Sequence, residues 1–274
     1  MRRPTRRQAL LAATVAGAGL AAGGVPELIR LVRPDTRPGK KPAPHARPSG
    51  AGRPAGAGRP PRRDPGYAHG SPRALRRPVH SLHDLTPAAP PNAVALTIDD
   101  GPHARWTPMM LDLLAEYQVP ATFSLIASEV AEYPKLVERI VAAGHQVCDH
   151  TVTHPLNLPG LGAGQIKEEI GGAHDRIAQA AGVAPRYFRA PGGNWSAQVM
   201  DTAAEHGMIC IDWQIDPRDW ARPGTMSITR SMLGSKAGDI ILCHDGGGDR
   251  SETIQALRTV LPALKQRGLT FVAL

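Results

Sequence analysis

Residues 94–103 read Val94-Ala95-Leu96-Thr97-Ile98-Asp99-Asp100-Gly101-Pro102-His103. An apolar and β-branched run of strand length stops abruptly at two acids and a Gly-Pro turn. That is the signature of a buried strand whose end carries polar side chains. The same alternation continues downstream. Thr107-Pro108 supplies a cap and a first helical residue, and 109–117 follows as a helix. Residues 121–126 read as the second strand, 134–143 as a helix closed by Gly144, and 146–148 as the third strand. A helix over 165–181 closes at Gly182, and 187–189 is the fourth strand. Asn194 caps a helix over 196–206 that Gly207 closes, and 208–213 is the fifth strand. A weaker helical signal at 227–233 precedes the sixth strand, 239–243. A helix over 252–266 closes near Gly268, and 270–273 is the last strand. Seven strands separated by helices make an α/β fold with parallel strands, either an open sheet or a barrel. No G-x-G-x-x-G follows the first strand, which argues against a dinucleotide-binding sheet. A seven-stranded barrel fits the 196 residues of segment 79–274.

Upstream of that segment the chain changes character. Gly and Pro number 29 and 27, about a fifth of 274 residues, which is high for a wholly compact protein. Residues 1–78 hold 17 Lys/Arg against 3 Asp/Glu, whereas 79–274 hold 15 against 21. The net charge of +8 therefore describes neither half and does not argue for a nucleic-acid partner. Residues 1–33 read as an export signal. Arg6-Arg7 stand directly before an apolar stretch over 9–22, as in signals of the twin-arginine type. Cleavage falls around 21–24, or the segment stays as an anchor. Residues 34–78 hold 11 Pro, 7 Gly and 11 Lys/Arg with only Asp35 and Asp64 acidic, so they lack the apolar content to offset ordering entropy. They read as a disordered linker, either a solvated spacer or an electrostatic contact to anionic cell-wall polymer or a membrane surface. Tyr67 is the one aromatic in that stretch, too few for base stacking, so no nucleic acid is expected. Three cysteines exclude a disulfide scaffold. Cys148, Cys210 and Cys243 lie in apolar runs and read as buried thiols.

In a parallel barrel the chemistry gathers where strands end. Those junctions carry Asp99-Asp100-Gly101-Pro102-His103, then His150-Thr151-Val152-Thr153-His154, Arg189-Ala190-Pro191-Gly192-Gly193, Asp216-Pro217-Arg218-Asp219-Trp220 and His244-Asp245. One carboxylate and two imidazoles offer three ligands to a borderline divalent cation and leave open positions for water and substrate. Of the adjacent Asp99 and Asp100, one can bind and the other serve as base. Arg189 can hold a carboxylate ionised and oriented, and His244 can supply a proton from the opposite side. These parts suit hydrolysis of an amide or an ester.

Over roughly 92–274 the sequence resembles the polysaccharide deacetylase family, also called carbohydrate esterase family 4 or the NodB-homology domain. TIDDGP (97–102), HTVTH (150–154), RAPGG (189–193), DPRDW (216–220) and LCH (242–244) are similar to that family's five motifs, in its order. The resemblance implies a distorted (β/α)7-type barrel resembling a TIM barrel. It implies Asp99 as general base, with Asp100, His150 and His154 as metal ligands. It further implies Arg189 as orienter of the base, His244 as general acid and Asp219 as the residue that tunes it. Pro191, Gly192, Trp220 and Leu242 would line the substrate pocket. The cofactor expected is Zn2+, with Co2+ or Ni2+ compatible with the same ligands. Ile98 stands where the family usually has Phe. Ala190 and Gly192 stand where many members have Pro and a bulkier, often aromatic residue, so the oxyanion-contacting amide near Gly192 is present in a more open wall. The expected protein is an exported, monomeric glycan N-deacetylase, secreted or associated with cell wall or membrane. Its partner is an acetylated polysaccharide. O-deacetylation of acetylated xylan is the alternative on the same parts, and a non-catalytic wall-polymer-binding protein is the alternative from another class.

Overall fold

In a computed structural model, which describes residues 77–85 and 89–274, helix α1 (Leu82–Leu85) precedes strand β1 (Ala93–Gly101). After them come α2 (Trp106–Tyr117), β2 (Thr122–Leu125), α3 (Ala127–Glu132), α4 (Pro134–Ala142) and β3 (Gln146–Asp149). The chain continues through α5 (Ala163–Ala181), β4 (Tyr187–Phe188), α6 (Ala197–Glu205) and β5 (Ile209–Cys210). It ends with α7 (Thr225–Leu233), β6 (Ile240–His244), α8 (Ser251–Gln266) and β7 (Thr270–Val272). The expected export signal and linker lie outside the described residues, apart from Arg77 and Pro78.

The seven strands run in the order β5-β4-β3-β2-β1-β6, with β7 beside the first residues of β1. Every pairing is parallel, as the intervening helices require. The sheet curls into an incomplete barrel. Its open side between β5 and β6 is crossed by single bridges, Val79 to Ile211 and Ile215 to Ile241. This is the reason the fifth strand expected over 208–213 shortens to Ile209–Cys210. Ile211 still donates to the Phe188 carbonyl of β4 while bridging Val79, and residues 214–215 then pair with β6.

Strand periodicity decides which side chains reach the barrel interior. In β1, Val94, Leu96 and Ile98 join the main apolar core with α2 and α8, on the outer face. Ala93 and Ala95 instead pack with Cys148, Tyr187, Ile211 and Ile240 inside the barrel. The inner face of β1 therefore continues through Thr97 to Asp99. The same alternation in β6 places Ile241 and Cys243 outside and Ile240 inside, so Leu242 and His244 follow inward. Small and apolar residues fill the lower barrel, and polar ones sit at its C-terminal end. All three cysteines are buried free thiols.

Three local readings need correction. Helix α2 starts at Trp106, so Thr107 lies inside the helix rather than capping it, and its hydroxyl is engaged with Asp245. Helix α6 is capped by Ser196, whose Oγ accepts from the Val199 N–H. Asn194 instead donates its amide to the Leu156 and Pro191 carbonyls. Helix α3 was not expected: its six residues bury only Ala127 and Val130, too short a pattern to show a period. Among the described residues no helix is long and apolar enough to cross a membrane.

Candidate active site

The end of β1 is irregular. The pairing with β2 shifts register between Asp99 and Gly101, and Asp100 takes a φ of 73°. This bulge brings two neighbouring carboxylates, which a regular strand would place on opposite faces, to the same imidazole. Asp99 points inward. Its Oδ1 accepts from Arg189 Nη1 at 2.7 Å, and Oδ2 lies 3.7 Å from His150 Nε2. Arg189 is fully buried, with Nη1 also donating to Thr97 Oγ1 at 2.8 Å and Nη2 to the Asp212 carbonyl at 3.0 Å. These bonds fix the guanidinium plane against the base carboxylate.

Asp100 faces two imidazoles. Its Oδ1 stands 3.5 Å from His150 Nε2 and 3.3 Å from His154 Nε2. That oxygen is buried and has no hydrogen-bond partner. His150 Nδ1 donates to the Arg189 carbonyl at 2.8 Å, which leaves Nε2 free as a lone-pair donor toward the carboxylates. The loop after β3 is held by Glu169, which accepts from the Val152 and Thr153 N–H groups and the Thr153 hydroxyl. One nitrogen or oxygen from each of Asp100, His150 and His154 falls within 4.8 Å of the others. Two imidazoles, one carboxylate and an unpartnered buried oxygen make a donor set that fits a divalent cation of the zinc type. Burial opposes ionisation of Asp100, yet the His150 contact and the nearby His244 and His154 hold its carboxyl well below the usual range. Burial also depresses His150, but the Asp99 and Asp100 charges raise it overall, whereas burial and His150 leave His154 lowered.

His244 lies opposite, on the strand next to β1 and in register with Asp99. Its Nδ1 donates to Asp219 Oδ1 at 2.7 Å, and its backbone N–H donates to Asp219 Oδ2 at 3.0 Å. Thr253, buried in the first turn of α8, is a third donor to this carboxylate, to Oδ2 at 2.8 Å. Burial opposes a charged imidazole here, but the Asp219 bond and charge overcome it and push His244 up to about 9. Asp219 in turn is held below its ordinary value by His244 and Thr253 against its burial.

The pocket residues fall at different depths. Leu242 is 3% exposed, two residues before His244 on the same inner face. Pro191 is buried, and Gly192 is exposed with φ 64° in a loop that Asn194 ties to Leu156. Trp220 is 48% exposed at the rim, with the Arg218 guanidinium 5.1 Å above its ring. Sequence reading missed Thr97, Thr253, Thr107 and the Asp212 carbonyl as supports of this constellation. Thr97 had a signal, since it lies two residues before Asp99 on one strand face. The others carried none.

Known proteins share this arrangement of sequence. The polysaccharide deacetylase family profile matches residues 86–211, which include Asp99, Asp100, His150, His154 and Arg189. A chitooligosaccharide deacetylase from a Bradyrhizobium species is 42% identical over 189 residues, covering 64% of this chain and 86% of the relative. A peptidoglycan-N-acetylglucosamine deacetylase from Bacillus cereus is 38% identical over 203 residues, covering 72% and 94% respectively. Among solved structures, a family 4 carbohydrate esterase from Streptomyces lividans in complex with acetate is similar at a TM-score of 0.62 and 31% identity. The match covers 66% of this chain and 91% of that one.

Proposed function

Because the chain belongs to the polysaccharide deacetylase family, we propose that it is an exported, metal-dependent glycan deacetylase. It would hydrolyse N-acetyl groups of a chitin-like or peptidoglycan polymer to free amine and acetate. The observation that carries this reading is the register of Asp99 with His244 on neighbouring strands, beside the converging Asp100, His150 and His154. A base and an acid stand on one inner face, about one strand spacing (~5 Å) apart in backbone, next to a cation-binding donor set.

Asp100, His150 and His154 would hold the cation, with Zn2+ the best match to two imidazoles and a carboxylate. When bound, such a cation polarises a carbonyl and brings the pKa of water down to ~7. Asp99, fixed by Arg189, takes one proton from the attacking water as its oxygen bonds the acetamide carbon. The Gly192 N–H would receive the resulting oxyanion, and its lack of a side chain leaves the wall open there. His244, with Nδ1 committed to Asp219, has Nε2 free to give a proton to the departing nitrogen as the C–N bond breaks. The products are acetate and the amino sugar. Leu242 would shield the acetyl methyl group and Trp220 would offer its exposed ring face to the glycan.

Export is supported by the Arg6-Arg7 pair ahead of the apolar stretch, which favours the twin-arginine route over the general secretory one. Residues 34–78 would then act as the spacer between that segment and the catalytic domain, 79–274. An acetate-release screen tests the reading, run with purified protein on chitin oligosaccharides, peptidoglycan and acetylated xylan. Acetate with equimolar free amine from an N-acetylated glycan is expected. Acetate from xylan alone would move the assignment to an O-acetyl esterase, and no acetate from any substrate would refute it.

A further inference from the structure

Asp100 is a non-glycine residue at φ 73°, a conformation that persists only when its surroundings enforce it. The enforcing contacts come from the residues after β6. The Asp245 N–H donates to the Asp99 carbonyl at 3.0 Å. Gly246 lies so close to the turn that a Cβ built on it would sit 2.0 Å from the Asp100 carbonyl oxygen. A Cβ on Gly101 would sit 2.3 Å from Asp245 Oδ1. Only glycine fits at either position, and the turn is packed against the Asp245 carboxylate itself. That carboxylate is fully buried, and its Oδ1 has no hydrogen-bond partner. Its Oδ2 accepts from the Thr107 hydroxyl at 2.5 Å, and Thr107 Oγ1 in turn accepts from the His103 N–H at 2.7 Å. The turn from Asp99 to His103 is thus tied at both ends through one buried Asp-Thr pair.

A buried carboxylate with a single polar partner, beside two further acids, does not favour folding by itself. Its retention at this place calls for a gain elsewhere. We propose that Asp245 and Thr107 are positioning residues for the cation site. Their hydrogen bond clamps the Asp99–Gly101 turn so that Asp100 presents its carboxylate to His150 and His154. The inference rests on the reading of those three residues as metal ligands. It assigns no contact between Asp245 and the cation. The clamp acts on the ligand's backbone, as outer hydrogen-bond partners commonly do at metal sites.

The test is Zn2+ affinity of the metal-stripped full-length chain, measured by competition with a chromogenic chelator. Loss of an outer partner typically weakens metal binding by ~10–100-fold, and that range is expected for Thr107→Val and for Asp245→Ala. Thr107→Ser keeps the hydroxyl and should match the parent. The double substitution should bind no more weakly than Asp245→Ala, since both act through one bond. Thr107→Ala replaces the valine variant if the latter does not fold. Variants with parental circular dichroism that bind Zn2+ as tightly as the parent would overturn the clamp. A parent that binds no Zn2+ would instead overturn the ligand assignment on which it rests.

Discussion

Replacing Asp219 by Asn isolates the interaction that sets the charge of His244. In the parent, Nδ1 donates to Asp219 Oδ1 at 2.7 Å, and the pair lifts His244 from 6.5 to about 9 despite burial. At 1.36 kcal/mol per pKa unit the lift corresponds to about 3 kcal/mol favouring the imidazolium. Asn keeps the shape and the burial but removes the charge, so His244 should fall to 6.5 or lower. At pH 7 a group titrating at 6.5 is only about a quarter protonated, whereas the parent residue is almost fully so. The neutral imidazole is a far weaker proton donor than the imidazolium, so turnover at pH 7 should drop at least ~4-fold, and toward the ~10²–10⁴-fold range of a lost general acid as the pKa falls further below 6.5. The assay is acetate release across pH 5–10. The high-pH fall of kcat/KM should lie near 9 in the parent and at or below 6.5 in Asp219→Asn. Stability follows the same sign. A folded-state pKa raised above its unfolded value contributes stability that is full below about 6.5 and lost as pH rises through about 9. Urea unfolding should therefore separate parent and variant most at pH 6 and least at pH 10. A variant whose high-pH limb stays where the parent's is would refute the assignment of His244 as the acid tuned by Asp219.

Other substitutions divide the remaining roles. Asp99→Asn should keep bound Zn2+ and lose turnover by ~10²–10⁴-fold, while His150→Ala should lose both, as read by metal content and acetate release. Metal loss in Asp99→Asn with retention in Asp100→Asn would exchange the two carboxylate roles. Arg189→Met leaves the Asp99 carboxylate buried without its partner and should cost about 3–5 kcal/mol in urea unfolding. A cost below ~1 kcal/mol, the level of an exposed pair, would contradict the buried geometry. Joint Arg6→Lys and Arg7→Lys substitution should block export of a reporter fusion, and unchanged export would assign the general secretory route.

The strand ends were the most legible part of this sequence. Each of the runs 94–98, 121–126, 146–148 and 239–243 is apolar, short and bounded by Gly, Pro or charge, so the parallel architecture followed from local pattern alone. The ligand-bearing HTVTH and the acids of TIDDGP could be read because each is contiguous and opens directly after a strand. What stayed hidden depends on distance along the chain. Thr107 meets Asp245 across 138 positions, and Thr253 reaches Asp219 across 34, on a helix face that looks ordinary in sequence. The close packing of Gly246 against the Asp100 bulge also left no mark, because it comes from another strand end. Strand β5 was overread for a related reason. Residues 208–213 have strand composition, but after Ile211, which bonds β4 and bridges Val79, the chain turns to β6.

On the proposed reading, Asp100, His150 and His154 hold a divalent cation without which the glycan is not deacetylated. The direct measurement is acetate release from an N-acetylated oligosaccharide after exhaustive chelation, with metal content confirmed near zero, followed by addition of Zn2+ or Co2+. Chelation should abolish release, and either ion should restore it. Full activity in the metal-free protein would contradict that reading.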